Sequence, residues 1–245
     1  MSKKIALILG AKSDIAMSTA HRFAEAGYDM QLAARNVNSL NQYKSNLEQK
    51  YQINVTLHEF DALKINSHKH FANSLPQLPS VIICAVGYMG DQKKNEQDVE
   101  VASNVIRSNF EGPASIFLIF ASLFEKRGSG TLVGISSVAG ERGRAKNYIY
   151  GSSKAGFSVF LSGLRNRLAM SGVHVVTVLP GFVATKMTNN IELPKKITAQ
   201  PYQVGKAIFN AVKKKTNIIY VSPIWRIIMM IIRNIPEYIF KKMKL

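Results

Sequence analysis

The chain has 245 residues, 47% of them hydrophobic and 19% charged, and its 32 Lys and Arg against 15 Asp and Glu give a formal net charge of +17. That length suits one large α/β domain with a substantial core, and the single cysteine, Cys84, excludes an internal disulfide and fits a reducing compartment. The positive balance points to anionic partners, whether a phosphorylated ligand, nucleic acid or an acidic membrane surface, and does not choose among them.

Lys3-Lys4 followed by Ile5-Ala6-Leu7-Ile8-Leu9 imitates the start of a secretory signal. The apolar segment is short, however, and runs straight into Gly10-Ala11-Lys12-Ser13, so residues 4–9 read as a first β-strand. The turn from Gly10 through Lys12, Ser13, Asp14 and Ile15 to Ala16 has small residues ahead of a helix, the arrangement that lets backbone approach a pyrophosphate at a helix N-terminus. Asp14 and Ala16 stand where a second and third glycine are usual. Asp14 reads as a helix N-cap, yet a carboxylate beside a pyrophosphate is electrostatically awkward.

A second strand, residues 29–34, ends at Arg35. An acidic residue here would take the ribose hydroxyls of NAD, whereas Arg pairs with the 2′-phosphate of NADP, so NADP(H) is expected ahead of NAD(H). The alternative is a solvated Arg opening the next helix. Further strands are expected over residues 54–59, 80–85, 131–136, 174–179 and 218–221, with helical stretches between most of them. Short apolar strands alternating with helices imply a doubly wound parallel sheet covered on both faces. That single domain is expected to span residues 1–221, with residues 222–245 as an amphipathic helical extension. The run from Asn189 to Gln200, containing Pro194, reads as a flexible flap.

Ser137 closes the fifth strand, and thirteen residues later comes Tyr150-Gly151-Ser152-Ser153-Lys154. On a helix, Tyr150 and Lys154 face one direction, and an ammonium under a phenol pulls its pKa down from about 10 toward the operating pH. Taken alone, the pair reads more readily as a packed Tyr and a solvated Lys. Between Ser137 and Tyr150 lies Glu141-Arg142-Gly143-Arg144-Ala145-Lys146. Its cations suit a substrate phosphate, with Arg142 or Arg144 as the contact, or simple solvation.

In order and spacing these segments resemble the short-chain dehydrogenase/reductase family through about Thr185. The resemblance implies a Rossmann-type fold with residues 10–16 as the cofactor turn and Asp61 near the adenine. Cys84-Ala85-Val86-Gly87 stands where the family usually has Asn-Asn-Ala-Gly, so Ala85 and Gly87 line the cofactor. It further implies Ser137, Tyr150, Lys154 and Asn109 as the catalytic set. Tyr150 would donate the proton, Ser137 bind the substrate oxygen, Lys154 hold the nicotinamide ribose and Asn109 anchor a water-linked proton path. Pro180, Gly181, Val183 and Thr185 would form the nicotinamide-side loop. No metal is expected.

The segment from Ser222 to Leu245 carries Arg226, Arg233, Glu237, Lys241 and Lys244 at helical spacing, and Pro223 and Pro236 divide it into two short helices. A bilayer span needs about 20 consecutive apolar residues, which Arg226 and Arg233 prevent. The segment is expected to lie in a membrane interface with Trp225, Tyr238 and Phe240 as anchors, or else to pack on the domain or a second copy. Residues 139–142, the Tyr150 segment and residues 225–242 resemble the family's reductases of polyprenyl-phosphate-linked keto-pentoses. That narrower resemblance implies a lipid-linked sugar phosphate as substrate and a partner flavin oxidase. It also implies peripheral contact at the cytoplasmic face of the plasma membrane and, as is common in the family, a homo-oligomer. The rivals are a soluble carbonyl reductase and a nonenzymatic NADP(H) sensor. Nucleic acid is not expected, because no base-stacking or groove-reading motif accompanies the charge.

Overall fold

A computed structural model describes residues 3–189 and 192–243. In chain order the elements are β1 (Ile5–Leu9), α1 (Asp14–Glu25), β2 (Asp29–Ala34), α2 (Asn41–Tyr51), β3 (Val55–Glu59), α3 (His68–Ser74) and β4 (Val81–Cys84). Then come α4 (Gln92–Gln97), α5 (Val99–Ile106), α6 (Gly112–Arg127), β5 (Gly130–Ile135), α7 (Tyr148–Leu168), β6 (Val173–Leu179), β7 (Phe182–Val183) and β8 (Thr198–Ala199). The chain continues with α8 (Pro201–Lys214), β9 (Ile218–Tyr220), α9 (Ile224–Asn234) and α10 (Glu237–Phe240).

Seven strands form one all-parallel sheet in the order β3-β2-β1-β4-β5-β6-β9, and β7 pairs with β8 in a separate two-stranded ribbon. Every residue of β1 is buried, as a central strand covered on both faces requires. Alternate residues serve opposite faces. Ile8 and Leu32 join Phe23, Leu47, Val204 and Ile208 on one side, whereas Leu7 and Leu9 meet Phe117, Phe120, Phe157 and Leu161 on the other. Full burial of each such side chain contributes roughly 1.5–3 kcal/mol.

The chain winds outward from β1 to β3, returns across β1, and resumes at β4. That reversal leaves a crevice beyond the carboxyl ends of β1 and β4, whose last residues Leu9 and Cys84 lie in register. Between α5 and α6 the helix widens into a π turn at Arg107–Glu111. The segment after β9 folds back onto the body. Trp225 and Met229 form a small core with Val138 and Leu179, while Ile224, Ile227, Met230 and Ile231 remain exposed. No helix among the described residues is long and apolar enough to cross a membrane.

Candidate active site

At the crevice, Gly10 has φ +79°, and its N–H and that of Ala11 both donate to the Ala33 carbonyl, at 2.9 and 3.1 Å. A Cβ on Gly10 would stand 2.9 Å from the Val86 nitrogen and 3.0 Å from the Ala85 carbonyl, so only glycine satisfies both the left-handed backbone and the close approach of β4. Ser13 caps α1, its hydroxyl accepting the Ala16 N–H at 3.1 Å. The cap is therefore not Asp14, which is already the first helical residue. Asp14 instead accepts the Lys186 backbone N–H at 2.7 Å, which turns its carboxylate toward the nicotinamide-side loop and away from the awkward place beside a pyrophosphate. Helix geometry leaves the amides of Asp14 and Ile15 without intrahelical partners at the crevice. Ala16, in place of the third glycine, is fully buried in the core.

Arg35 is exposed at the end of β2, and Lys12 Nζ lies 3.4 Å from the Arg35 carbonyl, so two cations share the rim of the cofactor turn. The loop beyond is pinned by a residue that sequence reasoning missed. Glu59 accepts the N–H of Asn36 at 2.8 Å and of Val37 at 3.0 Å, with Asn36 in the left-handed region at φ 51°. Those two backbone donors hold the Glu59 carboxyl below its usual range. Asp61 caps its own turn by accepting the Leu63 N–H at 3.0 Å, and its carbonyl lies 3.2 Å from His68. The open helix amides, the two cations and the glycine-only cradle together fit a dinucleotide phosphate.

Ser137, Tyr150, Lys154, Asn109 and Gly87 come together at the far side of the crevice. Ser137 lies two residues beyond β5 and opens a 3₁₀ turn, accepting the Ala139 N–H at 3.1 Å. The hydroxyl also faces Tyr150, in the first turn of α7, and favours the phenolate there. Lys154 is 3% exposed, donates to the Ile135 carbonyl at 2.9 Å, and lies 5.7 Å from the centre of the Tyr150 ring. A Cβ on Gly87 would meet Asn109 Oδ1 at 3.1 Å and Lys154 Nζ at 3.5 Å, which measures how closely the three converge.

The electrostatics correct one expectation. Burial pushes the Tyr150 phenol up to about 12, and the pull in the other direction comes from the Ser137 hydrogen bond, not from Lys154. Burial also lowers the Lys154 ammonium to about 8, with the Cys84 thiol opposing. Both groups are desolvated, and the ammonium is held on the Ile135 carbonyl, so burial outweighs their mutual attraction. Cys84 itself is raised to about 11 by burial.

Asn109 lies in the π turn. Its amide donates to Val105 O at 2.7 Å and Tyr88 O at 2.5 Å, and its Oδ1 accepts the Tyr88 N–H at 3.2 Å. The side chain is thus spent on fixing the loop after β4 that carries Gly87, and what remains for a proton path is the main-chain carbonyl. The usual helical donor to that carbonyl, four residues on, is Pro113, which has no N–H.

On the nicotinamide side, the Pro180 carbonyl accepts the Val138 N–H at 3.0 Å, and Val183 in β7 pairs with Ala199. Thr185 and Thr188 cap each other reciprocally. The expected flap is partly built into the fold. Lys195–Ile197 forms a 3₁₀ turn and Thr198–Ala199 is β8, whereas Asn190 and Ile191 lie outside the described residues. A Cβ on Gly181 would fall 2.0 Å from the Trp225 ring, so α9 packs directly on this loop.

Two further expectations change. Trp225 is 4% exposed, donates Nε1 to the Ile197 carbonyl at 3.1 Å and packs edge-on against Phe182, so it is not an interfacial anchor. Arg142 does not point a free guanidinium at a substrate phosphate. It reaches the carbonyls that end α9 and the Glu237 carboxylate, and stacks on Phe240, which is thereby also withdrawn from the anchoring role. Arg144 differs. Its Nη2 lies 3.4 Å from the Val138 carbonyl, its Nε is buried without a partner, and burial lowers its pKa against the opposing Glu141 charge. Lys244 lies outside the described residues.

The family model described as short chain dehydrogenase matches residues 4–196. An uncharacterized oxidoreductase of Mycobacterium tuberculosis is 32% identical over 240 residues, covering 97% of this chain and 96% of its own length. A second, from Streptomyces coelicolor, is also 32% identical, over 97% and 94%. Among solved structures, a short-chain dehydrogenase from Sphingobium yanoikuyae in complex with NADPH superimposes with a TM-score of 0.80 at 21% identity, over 96% of this chain and 97% of that one. One from Burkholderia cenocepacia in complex with NADP reaches 0.84 at 18% identity, over 98% and 97%. At these identities the structures bear on the fold alone.

Proposed function

The chain belongs to the short-chain dehydrogenase family of nicotinamide-dependent oxidoreductases, and from that premise we propose that it reduces a keto group on a polyprenyl-phosphate-linked pentose, using NADP(H), at a membrane surface. The observation that carries the reductive chemistry is the placement of Ser137 and Tyr150 together beside buried Lys154. A nicotinamide, when bound, supplies the hydride. Tyr150, with its phenol pushed up to about 12, is fully protonated at neutral pH and is the acid that a developing alkoxide needs. Ser137 orients the substrate oxygen on the same phenol. Lys154 holds positive charge behind it, and the Asn109 carbonyl offers a route for proton resupply. Residues of the α1 turn bind phosphate, and Lys12 with Arg35 favours the extra charge of NADP(H).

Support for a polar, anionic substrate comes from buried atoms that lack partners. Gln92 Oε1, Asn147 Oδ1 and Arg144 Nε are all in that condition. They lie near the start of α7, for Gln92 neighbours Tyr148, Asn147 precedes the helix and Arg144 reaches Val138. Hydroxyls and a phosphate would satisfy atoms that are otherwise costly to bury. Support for a lipid comes from α9 and α10, where Ile227, Met230, Ile231 and Tyr238 are each more than half exposed beside Arg226, Lys241 and Lys242. The keto sugar would be the product of an oxidation performed by a separate flavin enzyme, and the two steps together would epimerise one carbon.

Incubation with NADPH and a polyprenyl-phospho-2-keto-pentose, followed by mass analysis, is expected to show a gain of two hydrogens in the lipid. No gain would return the protein to a soluble carbonyl reductase, a reading favoured by the burial of Trp225.

A further inference from the structure

Two consecutive residues of the loop between Ser137 and Tyr150 grip α9. Arg142 Nη1 donates to the carbonyls of Ile232 at 2.9 Å, Arg233 at 3.0 Å and Ile235 at 2.6 Å, its Nη2 donates to Glu237 Oε2 at 2.8 Å, and its Cζ lies 3.8 Å from the centre of the Phe240 ring. Those carbonyls lie at the C-terminal end of α9, where a helix runs out of backbone donors, with Ile232 also accepting the Ile235 N–H at 3.4 Å, and a cation there meets the negative end of the dipole. Arg142 is therefore a C-cap supplied from another part of the chain. Beside it, Glu141 Oε1 accepts the Tyr220 hydroxyl at 2.7 Å and lies 3.6 Å from Arg233 Nη1.

At its other end, α9 presents Trp225 to Gly181, Phe182 and the Ile197 carbonyl. The helix thus bridges the catalytic loop and the nicotinamide-side loop, gripped at one end by Arg142 and lodged at the other by its indole. We propose that Arg142 is a positioning residue that holds α9 in place as a wall of the substrate site, so that the wall and the loop carrying Ser137 and Tyr150 move as one body. Arg142 touches no reacting atom in this role. Lysine replaces it only in part, because one ammonium can stand where Nη1 meets the carbonyls but has no second nitrogen for Glu237 and no plane to lay on the Phe240 ring.

Trp225 is the only tryptophan in the chain, so its emission reports the wall directly. In the full-length protein, Arg142→Ala is expected to red-shift Trp225 emission and to raise its acrylamide quenching constant about twofold or more, as local opening does. NADPH affinity and thermal midpoint should stay near wild type. Arg142→Lys should recover only part of the loss, and Glu237→Gln, which removes only one exposed contact, should lie nearest wild type. With NADPH bound, energy transfer from Trp225 to the nicotinamide should fall in the same order. Unchanged emission and quenching in Arg142→Ala would overturn the proposal. So would a fluorescence change that merely parallels a loss of NADPH binding and of thermal midpoint, or full rescue by lysine.

Discussion

Asp14 and Lys186, far apart in the chain, meet through one hydrogen bond of 2.7 Å from the Lys186 backbone N–H to the Asp14 carboxylate. The bond joins the first turn of α1, where phosphate is expected, to the loop on the nicotinamide side. Asp14→Ala should free the loop at residues 185–188, read as faster amide exchange there. Asp14→Asn, which keeps an acceptor oxygen, should retain most of the protection. The bond is worth roughly 0.5–1.5 kcal/mol net once solvent competition is counted.

Tyr150→Phe removes the hydroxyl proposed to donate the proton while leaving the ring in place. Turnover should be lost and NADPH binding retained, measured by stopped-flow reduction and by fluorescence titration. Ser137→Ala should reduce turnover by about 10²-fold, the scale of one positioned hydrogen bond in the reacting complex.

Lys154 is ammonium only below about pH 8 in the free protein. Activity that needs its charge should therefore decline above that pH in kcat/KM. Stability moves the opposite way. The folded pKa is depressed below the ordinary lysine value, so the unfolded chain binds more protons between about 8 and 10.5, and unfolding free energy should rise with pH through that window. Lys154→Met should flatten that rise, as followed by chemical denaturation at stepped pH.

Arg35→Ala and Lys12→Ala should each weaken NADPH more than NADH. Loss of one charge-assisted contact at about 1.5–3 kcal/mol predicts a change of roughly ten- to a hundredfold in the ratio of the two dissociation constants. Equal weakening of both cofactors would remove the 2′-phosphate role from these residues.

Ile227→Asp with Ile231→Asp alters only the exposed face of α9, so the thermal midpoint should hardly change while co-sedimentation with phosphatidylglycerol vesicles falls. Met229→Asp points into the core and should unfold the segment. Vesicle binding unaffected by the double change would leave α9 as a wall alone.

The sheet was legible in the sequence because parallel strands covered on both faces are short apolar runs, and each of the seven appears within a residue or so of its expected place. Tyr150, Lys154 and Ser137 were legible for a related reason, since spacing along one strand end and one helix face determines their meeting. The roles of Arg142 and Trp225 were not. A cation in a loop and an aromatic on an amphipathic helix look solvent-facing until the partner surface is known, and here each partner lies in a distant part of the chain. Asp14 was misread for the same reason, its acceptor role depending on Lys186. Glu59 gave no signal because its partners are backbone amides, which any sequence supplies. Pro113, four residues after Asn109, was a signal in plain view, for it marks a helical carbonyl left without its usual donor.

The wall formed by Trp225 has a consequence for how the molecule comes into being. During synthesis Ser137, Tyr150 and Lys154 leave the ribosome well before residues 224–234, and domains tend to organise from the N-terminal side first. The nascent chain can assemble its sheet and bring its proton donor to the crevice while Gly181 and Phe182 still face open water. Only when α9 arrives is that side closed, so the proposed site is completed by a segment made well after Ser137, Tyr150 and Lys154, and a chain cut short before residue 224 would hold those three side chains in an unfinished room.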